Sequence, residues 1–292
     1  MPHRILHLSD THIPATGTDE DGVDAVAVLD GLLHDLRHVV DIDLVIVTGD
    51  VADDGSVSGV QAVRDRIGAF AAARGVPHIY TTGNHDDRAN FASVLGSGHL
   101  GADGGDICDP LQAHRDRRAA VSIINGLRVI TLDTLVPGSV HGEVDDAQLS
   151  WLEMLLLERA PAGTVVAFHH PPIHIRSSPI LKSVGLRDPD RLAAVIRGTD
   201  VRAVLCGHYH LQVSGQLGGT PVWVTPGVIT RIDFTAPRHL ERAVLGASAT
   251  VIDLGEAEAP PVFHVVQSRS PQAGRQVYLV DAVSGADVDL EE

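Results

Sequence analysis

Short apolar runs alternate with longer amphipathic stretches through the first half of the chain, the pattern of βα units. Ile5 to Leu8 and Leu44 to Val47 are aliphatic and strand-like, and each runs directly into a polar motif, Ser9-Asp10 or Gly49-Asp50. Between them Val26, Leu29, Leu33, Leu36 and Val40 step by three and four, which predicts one face of a helix. Val60, Val63, Ile67 and Phe70 repeat that stepping, and the next strand, His78 to Thr81, leads into Gly83-Asn84-His85-Asp86.

The pattern then turns antiparallel. Val121 to Ile124 and Leu127 to Leu132 flank Asn125-Gly126, a strong hairpin signal. A helix is predicted from about Asp146 to Arg159, with Leu149, Leu152 and Leu156 on one face. Thr164 to Phe168 and Val201 to Cys206 are buried strands ending in His169-His170-Pro171-Pro172 and Gly207-His208-Tyr209-His210. Gly218-Gly219 divides a second hairpin whose outgoing arm is Val222 to Val224. Beyond Thr225 alternation is weaker, at Thr250 to Leu254, Val262 to Val266 and Gln276 to Val280, and Arg238 to Arg242 and Ser268 to Arg275 read as exposed connections. One domain over 1–292 is expected, with a motif-bearing core over 1–225 and closing strands and loops over 226–292.

Composition narrows the partners. With 38 acidic against 22 basic residues the formal charge is -16, which repels a nucleic-acid polymer, and 3% aromatic residues leave little for a base-stacking platform. No apolar run is long enough for a membrane span. Two cysteines, Cys108 and Cys206, give neither a disulfide framework nor a soft-metal spacing, and a cytoplasmic location is expected. Seventeen histidines are the more telling count.

Five strands end in polar motifs, and in open α/β sheets functional groups gather outside the carboxyl ends of strands. That places Asp10, His12, Asp50, Asn84, His169, His208 and His210 in one cleft. A single Asp-x-His is more often just a solvated loop, but seven such residues at successive strand ends are not. Oxygen and imidazole donors without thiolate suit Mn, Fe, Zn, Co or Ni. Seven ligands imply two ions, about 3.5–4 Å apart and sharing a carboxylate, with room for a bridging hydroxide.

Asp10-x-His12, Gly49-Asp50, Gly83-Asn84-His85-Asp86, His169 and Gly207-His208-x-His210 together resemble the calcineurin-like metallophosphoesterase family in order and spacing. The resemblance implies a four-layer α/β/β/α sandwich of two mixed sheets, with a binuclear site at strand C-terminal ends. It implies one metal on Asp10, His12, Asp50 and His210 and a second on Asp50, Asn84, His169 and His208, with Fe and Mn as the pair. The blocks Gly83 to Arg88, Leu132-Asp133-Thr134 with Val136-Pro137-Gly138 and His141-Gly142-Glu143, His169 to Pro172 and Arg197 to Arg202 are similar to the class III cyclic nucleotide phosphodiesterase branch. The similarity fades after about Thr225. Three residues beyond Asp50, where purple acid phosphatases carry an iron-binding tyrosine, this chain has Asp53, so no tyrosinate-coloured ferric site is expected.

The same resemblance makes His85 a catalytic group that meets the developing charge or protonates the leaving oxygen, with Asp86 fixing its tautomer. Asn84, His85, His141 and His210 are the expected substrate contacts. His170 is read as a hydrogen-bonding neighbour of the metal ligands, and Arg88 as either a phosphate contact or the ion-pair partner of Asp86 or Asp87. The function expected is hydrolysis of small anionic phosphodiesters, cyclic nucleotides (cAMP, cGMP or 2′,3′-cyclic nucleotides) first. A glycerophosphodiesterase or broad-specificity phosphodiesterase or phosphatase is the alternative. A non-catalytic scaffold is disfavoured because no ligand position has decayed. A homodimer is expected by analogy alone.

Overall fold

The structure, a computed structural model, describes residues 2–19, 21–109, 117–175, 178–256 and 259–288. Sheet one is built around three parallel strands, β1 (His3–Leu8), β2 (Leu44–Thr48) and β3 (His78–Thr81). β2 and β3 are buried at every position, as expected of strands covered on both faces, and β2 is aliphatic up to its closing Thr48. Antiparallel β4 (His99–Leu100) closes one side.

Sheet two starts with the hairpin β5 (Ala120–Ile124) and β6 (Leu127–Thr131), turned by Asn125 and Gly126 at φ 50° and 87°, the left-handed pair a tight hairpin needs. Parallel to β6 lie β7 (Thr164–Ala167) and β8 (Val201–Cys206). The second hairpin, β9 (Val213–Leu217) and β10 (Thr220–Val224), pairs β10 parallel to β8.

The two sheets pack face to face. Ile5, Ile46 and Ile79 from one meet Val129, Val165 and Leu205 from the other in a buried layer, each such side chain contributing about 1.5–3 kcal/mol relative to exposure. Outside sheet one lie α1 (Ala25–Asp35), α2 (Val57–Ala72) and α3 (Arg88–Leu95). Val60, Val63, Ile67 and Phe70 of α2 are buried, and Ser56 caps it by accepting from Gly59 N–H. Outside sheet two lie α4 (Asp146–Leu156), α5 (Pro179–Val184) and α6 (Pro189–Ile196). The order is α/β/β/α, with both sheets mixed, as expected.

Three details differ from the sequence reading. The first helix ends at Asp35 and tightens into a 3-10 turn over Leu36–His38, leaving Val40 exposed instead of on the helix face. The helix predicted to about Arg159 ends at Leu156. The closing strands read at Thr250 to Leu254 and Val262 to Val266 are present. β13 (Ser248–Leu254) pairs with β1 inside sheet one, and β14 (Val262–Gln267) extends that sheet. Finally, residues 238–242 are not merely a connection. Leu240 to Arg242 begin β12 (Leu240–Leu245), the centre of a third sheet with β11 (Thr230–Ile232) and β15 (Gln276–Asp281). Ser268 to Arg275 is the loop joining β14 to β15, as read.

Candidate active site

β1, β2, β3, β7 and β8 all end on the same side of the sandwich, and the residues that follow each one converge. The convergence distorts the backbone. Asp10, His12, Asp50, His208 and His210 all adopt positive φ, from 39° to 68°, a region costly for residues with a Cβ and concentrated at functional sites. The glycines beside them are there for close approach. A Cβ at Gly83 would lie 2.2 Å from Asp50 Oδ1, and one at Gly49 would lie 2.5 Å from His169 Nδ1.

Asp50 is central. Its Oδ2 is 3.0 Å from His169 Nε2 and 3.7 Å from His12 Nε2, while Oδ1 accepts from His85 N–H at 2.9 Å. Asp10 Oδ1 lies 3.5 Å from His210 Nε2 and 4.0 Å from His169 Nε2, and its carboxylate accepts from His208 N–H. Asp10, His12 and His210 form one compact donor group, and His169 and His208 belong to another.

Each ring is held by the nitrogen that faces away from this centre. His169 Nδ1 donates to Thr48 O at 2.7 Å, His208 Nε2 to Val184 O at 3.0 Å, and His210 Nδ1 meets Thr230 O and Oγ1. His12 Nδ1 is 3.0 Å from Asp53 Oδ1. The tautomers this sets leave the inward nitrogens as acceptors, the form a metal requires. His12 Nε2, Asn84 Oδ1 and His169 Nε2 are buried without a hydrogen-bond partner among the described residues. The Asp50–His169 approach is close enough for an ion pair but is not aligned as a hydrogen bond.

The electrostatics agree. Burial disfavours charge on His12, yet the hydrogen bond to Asp53 and the fields of Asp50 and Asp10 outweigh it and push it up to about 9. His169 is likewise up to about 9 against burial, through Asp50 and Asp10. Burial dominates at His208 and His210 and pushes both down. The Asp50 carboxyl is held well below the usual range against its own burial by His169, His85 and His12. Orphaned acceptors around two carboxylates, with a site that draws positive charge onto two rings, fit a pair of cations. Asp10, His12, Asp50 and His210 could hold one, and Asp50, Asn84, His169 and His208 the other.

Asp86 does not orient His85. Its carboxylate accepts from the N–H groups of Val51, Ala52 and Gly83 and so fastens the loops after β2 and β3 together. Burial and the Asp50 charge hold it up at about 6 in spite of those donors. His85 is oriented by Asp53, whose backbone carbonyl receives His85 Nδ1 at 2.7 Å and whose carboxylate lies 3.7 Å away. Asp53, noted in the sequence only as a departure, therefore holds both His12 and His85. Arg88 pairs with neither Asp86 nor Asp87 but with the buried carboxylate of Asp133, Nε to Oδ2 at 2.6 Å. Asp87 instead caps α3, accepting from Ala89 and Asn90 N–H.

His141 is not among the residues lining the cleft, although its neighbour Val140 is. Its ring bonds Ser139 and lies 3.8 Å from Glu143. His170 is buried, with Nδ1 bonded to Thr134 Oγ1 at 2.7 Å and its ring 4.6 Å from that of His208. It packs against the rings of His169 and His208, two of the candidate ligands.

His12, Asp50, Asn84, His85, His208 and His210 sit in a cleft of about 490 Å³. Its outer wall comes from the third sheet and the turn after it, which the sequence reading left without a role: Thr230, Ile232, Glu241, Tyr278, Val280 and Asp287.

Residues 3–212 match the family model of the calcineurin-like phosphoesterases. The chain belongs to that family, and is a metal-dependent phosphoester hydrolase. A probable cyclic nucleotide phosphodiesterase of Rhodococcus erythropolis is 41% identical over 227 residues, covering 76% of this chain and 69% of the relative. A cAMP/cGMP dual specificity phosphodiesterase of Mycobacterium tuberculosis is 40% identical over 235 residues, covering 79% and 69%. Among solved structures, GAP50 of Plasmodium, the anchor in its inner membrane complex, superposes with a TM-score of 0.57 at 10% identity, covering 100% of this chain and 90% of that one, a likeness of fold alone. Among the described residues no helix is long and apolar enough to cross a membrane.

Proposed function

We propose that the cleft hydrolyses small phosphodiesters, with cyclic nucleotides as the substrate class. The observation that carries the chemistry is the inward-facing, partnerless His12 Nε2, Asn84 Oδ1 and His169 Nε2 around Asp50. The nucleotide preference follows the names of the two bacterial relatives above.

Asp10, His12, Asp50 and His210 would hold one ion and Asp50, Asn84, His169 and His208 the second, with Fe and Mn as the pair and Zn, Co or Ni as substitutes. Two cations bound there supply the charge that activates a water near neutral pH and offsets the charge of the phosphate. The chain's own groups do the rest. Thr48, Thr230, Val184 and Asp53 lock the ring orientations, so no reorganisation is needed when substrate arrives. His85 lines the cleft with Nδ1 committed to the Asp53 carbonyl. A proton given to the leaving oxygen therefore departs from Nε2 of a doubly protonated ring.

A small diester of another kind, such as a glycerophosphodiester, remains the second reading, since the metal ligands face the phosphate and not its substituents. A panel of cyclic AMP, cyclic GMP, a 2′,3′-cyclic nucleotide, a glycerophosphodiester and bis(4-nitrophenyl) phosphate decides between them. Negligible turnover of every cyclic nucleotide beside brisk turnover of the aryl ester would sink the nucleotide assignment. A nucleic-acid polymer is opposed by the chain's charge of -16. A cytoplasmic location fits the free thiols of Cys108 and Cys206. A homodimer is part of the reading and is checked by light scattering.

A further inference from the structure

The part of the cleft lined by the third sheet, which packs beside His210 through Thr230 and Ile232, is chemically unlike an anion site. Among the described residues that line the cleft there is no Lys or Arg, and four carboxylates lie outside the metal cluster and its Asp53 support: Asp19, Asp21, Glu241 and Asp287. Asp19 is spent locally, accepting from the N–H groups of Asp21 and Val23. Glu241 is placed differently. It projects from β12, and Tyr278 Oη, from the neighbouring β15, donates to its Oε1 at 3.3 Å. Its register partner across the sheet is Val280, which also lines the cleft. Ile232 and Leu181 add apolar surface. The same cavity is lined by His12, whose Nε2 is buried and without a partner among the described residues.

A phosphodiester engaged through its phosphate leaves its substituent to the rest of the cleft, and that lining includes strands beyond the 3–212 family match. We infer that Glu241, held by Tyr278, is a specificity-determining residue that receives a hydrogen-bond donor on the nucleoside part of the substrate. The acidic wall at the same time disfavours a substituent bearing a second phosphate. This rests on the cyclic nucleotide reading above. One carboxylate oxygen is fixed by the tyrosine hydroxyl, and Oε2 is the acceptor assigned to substrate. A charged acceptor in a partly desolvated cleft rewards a matched donor and leaves a substrate without one unpaired. Repulsion between Glu241, Asp287 and an additional phosphate acts against larger polyanions without requiring a clash. A ribose 2′-hydroxyl and the exocyclic base amine are the two donors that the nucleoside part of 3′,5′-cyclic AMP carries.

The test compares kcat and KM of the Mn-loaded wild type and the Glu241→Gln variant on cyclic AMP, 2′-deoxy cyclic AMP, cyclic UMP and bis(4-nitrophenyl) phosphate. Thermal unfolding confirms that the variant is folded, and Tyr278→Phe serves as a second, milder variant. The ratio of kcat/KM on cyclic AMP to that on the aryl ester should fall about tenfold in Glu241→Gln, through KM, as loss of one charged hydrogen bond implies. Tyr278→Phe should shift it in the same direction by less. The effect should vanish on cyclic UMP if a base amine is the donor, or on the 2′-deoxy nucleotide if the hydroxyl is. An unchanged ratio, or an equal effect on all three nucleotides, overturns the assignment of Glu241 while leaving cyclic nucleotide hydrolysis standing. A wild type that turns over the aryl ester and no cyclic nucleotide overturns both.

Discussion

Asp53 holds His12 and His85 at once: its Oδ1 is 3.0 Å from His12 Nδ1, and its backbone carbonyl receives His85 Nδ1 at 2.7 Å. The two rings meet edge to face with centroids 4.6 Å apart. One residue therefore sets the tautomer of a candidate metal ligand and of the candidate proton donor. Asp53→Asn should lower kcat on a phosphodiester about 10–100-fold and weaken metal retention, the usual cost of losing such support. Asp86→Asn, which touches neither ring, should act mainly on stability. Equal kinetic damage from both changes would mean that Asp53 has no special orienting role.

Gly83→Ala tests the packing of the ligand loops. The added methyl would lie 2.2 Å from Asp50 Oδ1 and 2.3 Å from Asp50 N, so the central carboxylate must move. Metal content measured by plasma emission should fall below one ion per chain, with turnover lost in parallel. A variant that keeps two ions and full activity would show that Asp50 is not fixed there.

Asp133 anchors Arg88 and accepts from Thr82 Oγ1 with its side chain fully buried, bridging the loop after β3 to the end of β6. Asp133→Ala strands the Arg88 charge and should cost about 3–5 kcal/mol in urea unfolding. A loss under about 1 kcal/mol would place Arg88 in solvent.

How much of this was legible in the sequence depended on length and on continuity. β1, β2, β3, β7 and β8 were readable because each is a short run dominated by aliphatic residues that leads into a motif, and those motifs name the cleft. α3, α5 and α6, at six to eight residues, are too short for helical periodicity, though Asp87, Ser178-Pro179 and Asp188-Pro189 are start signals that could have found them. β12 was read as a loop because Leu240-Glu241-Arg242 looks exposed, whereas Glu241 is polar because it faces the cleft. The resemblance assigns Asp86, the neighbour of His85, to fixing its tautomer. Three backbone N–H groups claim its carboxylate, and sequence neighbours need not face one another.

The buried histidines outside the site predict the acid limit of the fold. His99 lies between Ser122 Oγ and Thr131 Oγ1, and burial pushes it down to about 3. The unfolded chain takes up this proton near 6.5 and the folded one does not, so stability is full above 6.5 and declines as pH falls toward 3. At pH 5 that amounts to about 2 kcal/mol. The urea midpoint of His99→Gln should fall less steeply between pH 7 and 5 than that of the wild type. Parallel slopes would show that His99 titrates alike in both states.

The central claim is that seven side chains hold two ions which together carry phosphodiester hydrolysis. Titrating Mn into metal-stripped protein while following cyclic AMP hydrolysis tests it most directly. Activity should rise to a plateau at two equivalents per chain and be reduced at least about a hundredfold in Asp50→Asn, which loses the shared carboxylate. A plateau at one equivalent, or no hydrolysis at any metal ratio, would contradict the account.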